Sequence, residues 1–241
     1  MPNELLKQND DAMNRQNAGT TGILFDLDGT LVDTVYEHVA AWTTALQSER
    51  IYIPKWKVHR RIGMSGRSMV RQLIREEGCR VHVDIALLEK RHDKAFAKAN
   101  RDTRLLPGAP ELLKFLTKNR IPWAIATTGG KQQTLRLVKK LSIPASVPVA
   151  TGDDVTKAKP SPDVFVVAAK RLGLPVSDCV VVGDSIWDVL AAARKRALGI
   201  GFLSGGYSRE ELNEAGAFRT YAGPMDMLEH IEDLGIEALR S

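Results

Sequence analysis

From residue 22 to residue 25 the chain reads Gly-Ile-Leu-Phe, an apolar run of strand length without helical spacing. It ends on two carboxylates one residue apart, Asp26 and Asp28, followed by Gly29. After Asp33 the rhythm changes: Val35, Val39, Trp42 and Leu46 recur on one helical stripe over residues 34–49, with Thr34 placed as the N-cap. Helices are also predicted over 57–64, over 68–77 with Met69, Val70, Leu73 and Ile74 apolar, and over 84–100 with Ile85, Leu88, Ala95 and Phe96 inward. No strand pattern interrupts residues 34–104, which therefore read as an all-helical insert.

Pro107-Gly108-Ala109-Pro110 is turn chemistry and restarts the chain on a different rhythm. Helices over 111–119, 131–141, 162–172 and 186–196 alternate with strands over 122–127, 147–150, 179–183 and 199–203. A loop follows in which Ser208 caps a short helix, and a last amphipathic helix covers 224–231. Such alternation predicts an α/β fold, a doubly wound parallel sheet covered on both faces. The expected plan is a mobile N-terminal segment (1–20), an α/β core (21–33 and 106–241) and a helical insert (34–105).

Ligands of open parallel sheets bind beyond the carboxyl ends of the strands, near the place where strand order reverses. The predicted strands end in Asp26 and Asp28, in Thr127-Thr128-Gly129-Gly130, in Thr151-Gly152-Asp153-Asp154, and in Gly183-Asp184-Ser185 with Asp188 following. Polar side chains thus collect at one edge, whereas loops 141–144 and 173–175 at the other edge carry no comparable cluster. Asp26, Asp28 and Asp184 form an oxygen-rich set suited to a hard divalent cation such as magnesium. Thr127 and the amides around Gly129 and Gly130 are placed to receive phosphate oxygens. Lys159, held before a helix by Pro160 and Pro162, adds positive charge at the same edge.

Composition narrows the partners. With 241 residues, 44% of them hydrophobic, the chain is long enough for one large core or a core plus a smaller module. The net charge of +5 comes from 34 cationic and 29 anionic residues without a long basic block. That balance suits an anionic small molecule and not nucleic acid. Cys79 and Cys179 are too few for a disulfide framework, which makes a reducing, cytoplasmic setting the expectation. No run approaches the roughly 18 apolar residues of a membrane span. A monomer or weak homodimer is expected. His38, His59, His82, His92 and His230 lack metal-ligand spacing and read as surface or packing residues.

Four stretches carry a resemblance: Asp26-Leu27-Asp28-Gly29-Thr30-Leu31-Val32-Asp33-Thr34, the strand ending in Thr127, Lys159-Pro160-Ser161-Pro162-Asp163, and Gly183-Asp184-Ser185-Ile186-Trp187-Asp188. In this order they resemble the four motifs of the haloacid dehalogenase-like hydrolase superfamily, over about residues 22–231. The helical insert is similar to that superfamily's C1 cap, found in phosphoglycolate phosphatase-like and β-phosphoglucomutase-like members.

The resemblance implies a Rossmann-like core in which Asp26 is the nucleophile that forms an aspartyl-phosphate, and Asp28 is first general acid and then base. It implies magnesium held by Asp26, the backbone carbonyl of Asp28, and Asp184. Thr127, Thr128 and Lys159 would bind the transferring phosphoryl group, and Asp188 would orient Lys159 or a metal-bound water. On this reading Asp26 is ionised, while a neighbouring carboxylate and partial burial keep a proton on Asp28. The implied function is magnesium-dependent hydrolysis of a small-metabolite phosphomonoester. Halide-releasing members need no acid, so Asp28 argues against dehalogenation; phosphonatase-type members need a cap lysine, and nothing marks Lys55 or Lys57. A phosphosugar mutase is the alternative, because His38 and Trp42 fit the cap start of β-phosphoglucomutases, although Gly66 stands where that group carries arginine. A non-catalytic phosphate-binding regulator is the third reading. Residues 59–68 resemble the cap's substrate-facing loop, in which Arg61 and Arg67 are candidates for a second anionic group or sugar hydroxyls.

Overall fold

A computed structural model of the chain describes residues 21–78, 83–99 and 102–236. The N-terminal segment, Cys79 and His82 lie outside the described residues. In chain order the elements begin with β1 (Gly22–Phe25), β2 (Val32–Asp33), α1 (Val35–Ser48), α2 (Lys55–His59), α3 (Gly66–Glu76), α4 (Ile85–Ala99) and β3 (Arg104–Leu105). Next come α5 (Ala109–Lys118), β4 (Trp123–Ala126), α6 (Lys131–Lys140), β5 (Val149–Ala150), α7 (Asp163–Leu172) and β6 (Cys179–Gly183). The last are α8 (Ile186–Ala193), β7 (Leu198–Phe202), α9 (Arg209–Glu214), β8 (Arg219–Tyr221) and α10 (Pro224–Glu229).

Six of these strands form one parallel sheet in the order β5-β4-β1-β6-β7-β8. The chain leaves β1, moves outward through β4 and β5, then returns to lay β6 on the other flank of β1. Strand order therefore reverses at β1, which puts Asp26 and Asp28 at the crevice. Alternation along β1 splits its side chains between two layers. Ile23 and Phe25 join Leu112 and Leu116 of α5, Leu137 of α6 and Met227 of α10. Leu24 joins Ala124 and Ala126 of β4 with Phe165 and Ala168 of α7 and Ala191 of α8, where small side chains let the helices sit close to the sheet. None of Ile23, Leu24 and Phe25 is exposed, as expected of a central parallel strand.

The insert has its own apolar cluster, built on Val39, Trp42, Leu46, Val58, Met69, Leu73 and Leu88, with α1 lying along α4. It is not entirely helical at its exit. Arg104–Leu105, read from the sequence as part of the helical section, pairs antiparallel with Val32–Asp33, and this two-stranded ribbon carries the chain out to the insert and back. The helix predicted over 57–64 stops at His59, because Gly63 adopts φ of +98° and residues 60–64 form a turn. Among the described residues no helix is long and apolar enough to cross a membrane.

Leu24 packs without exposure against the alanines of β4 and α7, so its truncation leaves a void that the surrounding backbone cannot close. Leu24→Ala should lower unfolding stability by about 2–5 kcal/mol, read as a lower urea midpoint with an unchanged m-value.

Candidate active site

The crevice at the end of β1 is polar and buried. Asp26 is 4% exposed and its backbone amide donates to the carbonyl of Val182 across the sheet. Its Oδ1 lies 2.7 Å from Lys159 Nζ, and the same ammonium lies 2.8 Å from Asp188 Oδ1, with the lysine side chain wholly enclosed. Asp188 opens α8 as the third residue of a capping box, accepting from the amide (3.2 Å) and hydroxyl (2.5 Å) of Ser185. This doubly held carboxylate fixes Lys159 against Asp26. Asp184 ends β6 and accepts from Thr30 Oγ1 at 2.8 Å. A Cβ on Gly29 would come within 2.3 Å of Asp184 Oδ2, and one on Gly205 within 2.1 Å, so only glycines leave that carboxylate room.

Carboxylate oxygens of Asp26, Asp184 and Asp188 all lie within 4.8 Å of one another. Three buried acids thus face a single buried cation, Lys159. Burial pushes the Asp26 carboxyl up from 3.8 to about 7 against the pull of Lys159, with Asp188 adding to the rise. Asp184 is raised well above 3.8 by burial and then by Asp188 and Asp26. Burial alone would pull the Lys159 ammonium down, but Asp188 and Asp26 outweigh it and raise its pKa. A hard divalent cation with oxygen ligands fits this excess of negative charge. Asp188 is already committed to Lys159 and Ser185, which leaves Asp26 and Asp184 as the carboxylates free to take a cation.

Asp28 behaves differently from the sequence-based expectation. Burial would raise its pKa, but His38, the hydroxyl of Thr34 and the charge of Lys159 hold it below the ordinary carboxylate value. Thr34 Oγ1 donates to Asp28 Oδ1 at 2.7 Å, and His38 Nε2 approaches the same oxygen at 3.3 Å. Oδ2 points elsewhere, within 3.6 Å of where a Cβ on Gly129 would lie. One oxygen is therefore held by the start of the insert, and the other faces the loop after β4. An imidazole nitrogen against a carboxylate also gives the pair a proton to share.

Thr127 is buried, and its Oγ1 accepts from the amide of Gly129 at 3.0 Å. Thr128 Oγ1 reaches the carbonyl of Gly63 in the insert at 3.4 Å. Above these residues lies a cavity of about 330 Å³ lined by Asp26, Asp28, Asp184, Thr127, Gly129 and Gly130 from the core, and by His38, Trp42, Arg61, Glu89 and Asp93 from the insert. Arg61 reaches this cavity, but its guanidinium is bonded to the carbonyl of Lys57 (3.0 Å) and to Glu76 (2.5 Å), and only Nε, buried, lacks a partner. Arg67, expected on the substrate-facing loop, is not among the lining residues. It is the second residue of α3, half-exposed, with Glu89 3.6 Å away.

The insert is seated on the core through residues 59–63. His59 Nε2 lies 2.8 Å from the carbonyl of Gly205, and the carbonyl of Arg60 accepts from Trp187 Nε1 (3.2 Å) and Tyr207 OH (2.7 Å). The Arg60 guanidinium lies 4.0 Å from the Tyr207 ring centroid and pairs with Glu211. Tyr207, read from the sequence as a loop residue, is buried by this contact.

Sequence reasoning treated His92 as a packing or surface histidine, gave His38 that reading or a place at the cap start of a mutase, and gave Thr30 and Thr34 no site contact. The spacing Thr34…His38 was a usable signal: positions i and i+4 at the start of a helix share a face, directly after the paired acids. No sequence signal joins Thr30 to Asp184 across 154 positions.

A family model described as haloacid dehalogenase-like hydrolase matches residues 20–194, and a related model matches residues 156–234. Hexitol phosphatase A of Escherichia coli (strain K12) is 33% identical over 170 residues, 70% of this chain and 77% of that protein. Phosphoglycolate phosphatase of Pseudomonas syringae pv. tomato is 32% identical over 193 residues, 77% of this chain and 70% of that protein. The crystal structure of a hydrolase from Pseudomonas syringae superposes with a TM-score of 0.86 at 44% identity, covering 89% of this chain and 99% of that one.

The raised pKa values of Asp26 and Asp184 mean that the folded chain holds protons that the unfolded chain releases. Their contribution to stability is complete below the unfolded value of 3.8 and is lost as pH rises through about 7. A bound cation replaces those protons. Addition of a divalent cation to EDTA-treated protein should therefore raise Tm more at pH 8 than at pH 5.5. The cation-induced difference cancels His92, whose burial-depressed pKa acts in the opposite sense. A Tm increment independent of pH would place the cation away from these acids.

Proposed function

The chain belongs to the haloacid dehalogenase-like hydrolase family, and on that premise we propose that it is a magnesium-dependent phosphatase that cleaves a small phosphorylated metabolite through an aspartyl-phosphate. The carrying observation is the contact of Asp26 with a wholly buried Lys159 that Asp188 pins from the other side, at the sheet's switch point and beneath the cavity. The pairing aims the carboxylate, and although burial pushes its pKa up to about 7, a bound cation would hold it ionised, as a nucleophile must be. Lys159 offsets charge on the transferring phosphoryl group, Thr127 and the amides at Gly129 and Gly130 receive its oxygens, and Asp28, whose lowered pKa leaves its proton to be supplied through the contact with His38, protonates the leaving oxygen before activating water. Asp26, Asp184 and the carbonyl of Asp28 would hold Mg²⁺, which, when bound, screens the charge between the nucleophile and the phosphoryl oxygens.

The division into a core and a helical cap accompanies this reading, with the ribbon of β2 and β3 as the hinge between them. A cavity of about 330 Å³ suits a small substrate. Its insert side supplies the carboxylates Glu89 and Asp93, and Arg61 is already committed to Glu76. That wall supports hydroxyl groups on the substrate in preference to a second anion. The similarity to hexitol phosphatase A agrees with that preference.

The mutase alternative fits less well. Gly66, where β-phosphoglucomutases carry arginine, packs so tightly that a Cβ would stand 2.3 Å from the Trp42 ring.

A screen of phosphorylated metabolites for released phosphate, with and without Mg²⁺, tests the reading. Asp26→Asn should reduce release by about 10³-fold or more while leaving the circular dichroism spectrum unchanged. Persistence of activity in that variant would remove Asp26 as nucleophile. Conversion of a hexose 1-phosphate to its isomer, without free phosphate, in the presence of a catalytic bisphosphate would favour the mutase.

A further inference from the structure

The cavity over Asp26 has a compensating charge at its floor and lacks one on its insert side. Lys159 pairs with Asp26 at the floor, and a divalent cation would complete the balance there. On the insert side, Glu89 and Asp93 stand one turn apart on the same face of α4 and both line the cavity, while Asp153 lines it from the core. Among the described residues that line it, Arg61 is the only lysine or arginine. Its guanidinium is bonded to Glu76 and to the carbonyl of Lys57, so it is not free to compensate a further acid.

The other neighbours of these carboxylates cancel little of their charge. Arg67 comes within 3.6 Å of Glu89, but its side chain is 56% exposed, and an ion pair in water is weak. His92 Nδ1 lies 3.0 Å from Asp93 Oδ1, and burial lowers the pKa of that ring, so the contact is a hydrogen bond from a neutral imidazole. Asp153 Oδ2 accepts from the backbone amide of Lys131 at 2.9 Å, which again brings no full positive charge. Lys94, Lys131, Arg136 and Lys140 line a neighbouring cleft of about 710 Å³ between α4 and α6, and none of them lines the catalytic cavity. A group bound inside the cavity meets the carboxylates and not those cations.

A carboxylate only accepts hydrogen bonds. A substrate group held against Glu89 and Asp93 must therefore donate, as a hydroxyl or an ammonium does. A second carboxylate or phosphate would set acceptor against acceptor and like charge against like, in a cavity that limits screening by water. We propose that Glu89 and Asp93 are specificity-determining residues that select the charge of the substrate's alcohol part: one that offers donors is accepted, and one that carries a second anion is rejected. This rests on the phosphatase reading above. It moves selection from residues 59–68, where Arg61 and Arg67 were candidates for meeting a second anion, to α4.

The test measures kcat/KM for released phosphate, with Mg²⁺, on three small esters that differ in the charge of the alcohol part: 2-aminoethyl phosphate, glycerol 3-phosphate and phosphoglycolate. The wild type should cleave phosphoglycolate about 10-fold or more less efficiently than either of the others. An aminoethyl ester ahead of the glycerol ester identifies ammonium as the preferred donor, and the reverse order identifies hydroxyl. The double variant Glu89→Gln, Asp93→Asn keeps size and removes charge. In it the phosphoglycolate-to-glycerol ratio should rise about 10-fold and the aminoethyl-to-glycerol ratio should fall by about 3-fold or more. General damage to the fold lowers all three values and moves neither ratio, and unmoved ratios would overturn the proposal. So would a wild type that cleaves phosphoglycolate as well as glycerol 3-phosphate, two ratios that shift in the same direction, or inactivity on all three esters in an enzyme that cleaves p-nitrophenyl phosphate. Phosphate release from p-nitrophenyl phosphate by the wild type and not by Asp26→Asn establishes the parent reading separately.

Discussion

Lys159 stands without solvent contact between Asp26 and Asp188, and the arrangement of the whole edge follows from the need to keep that ammonium paired. A buried lysine with one partner removed would leave a charge in a medium that cannot solvate it, at a cost of several kcal/mol. Its partners come from distant parts of the chain: the end of β1, and the first turn of α8 after β6. Only a parallel sheet that sets β6 beside β1 brings these termini together. The glycines at 29, 183 and 205 belong to the same constraint, since a side chain at any of them would occupy the space of Asp184 or Asp188.

The arrangement is not neutral. Three carboxylates and one ammonium leave negative charge in excess, and the rise of the Asp26 and Asp184 pKa values is the physical expression of that excess. Protons relieve it at low pH and a divalent cation would relieve it at neutral pH. The core is thus stable enough to fold around the cluster, yet it retains a demand for positive charge at the switch point of the sheet. Fold stability and ligand chemistry draw on one electrostatic imbalance.

Much of this was legible in the sequence because the core signals are local. The apolar run before Asp26 marks a central strand, and the polar tails of successive strands collect at one edge by a rule of topology. Capping chemistry marks the start of α9 at Ser208. What the sequence concealed is non-local or short. The ribbon of Val32–Asp33 with Arg104–Leu105 consists of two-residue strands about seventy positions apart, too short for any period to register. β8, three residues with Arg219 exposed at the sheet edge, has the same difficulty. The pKa of Asp28 was misjudged because a neighbouring carboxylate was weighed and an imidazole from the insert was not. Arg67 does not line the cavity; it is the second residue of α3, half-exposed beside Glu89.

The same imidazole ties the insert to the chemistry of the core. Thr34 and His38 lie at the start of α1, so the helix that begins the insert also grips Asp28 Oδ1. At the insert's other side, residues 59–63 rest on Gly205, Trp187, Tyr207 and Thr128. Any rotation of the insert about the β2–β3 ribbon must therefore break the seat at Arg60 and shift the grip on Asp28 together. The contact at Asp28 and the seat at residues 59–63 are therefore parts of one interface, and the placement of Asp28 Oδ1 depends on how the insert sits.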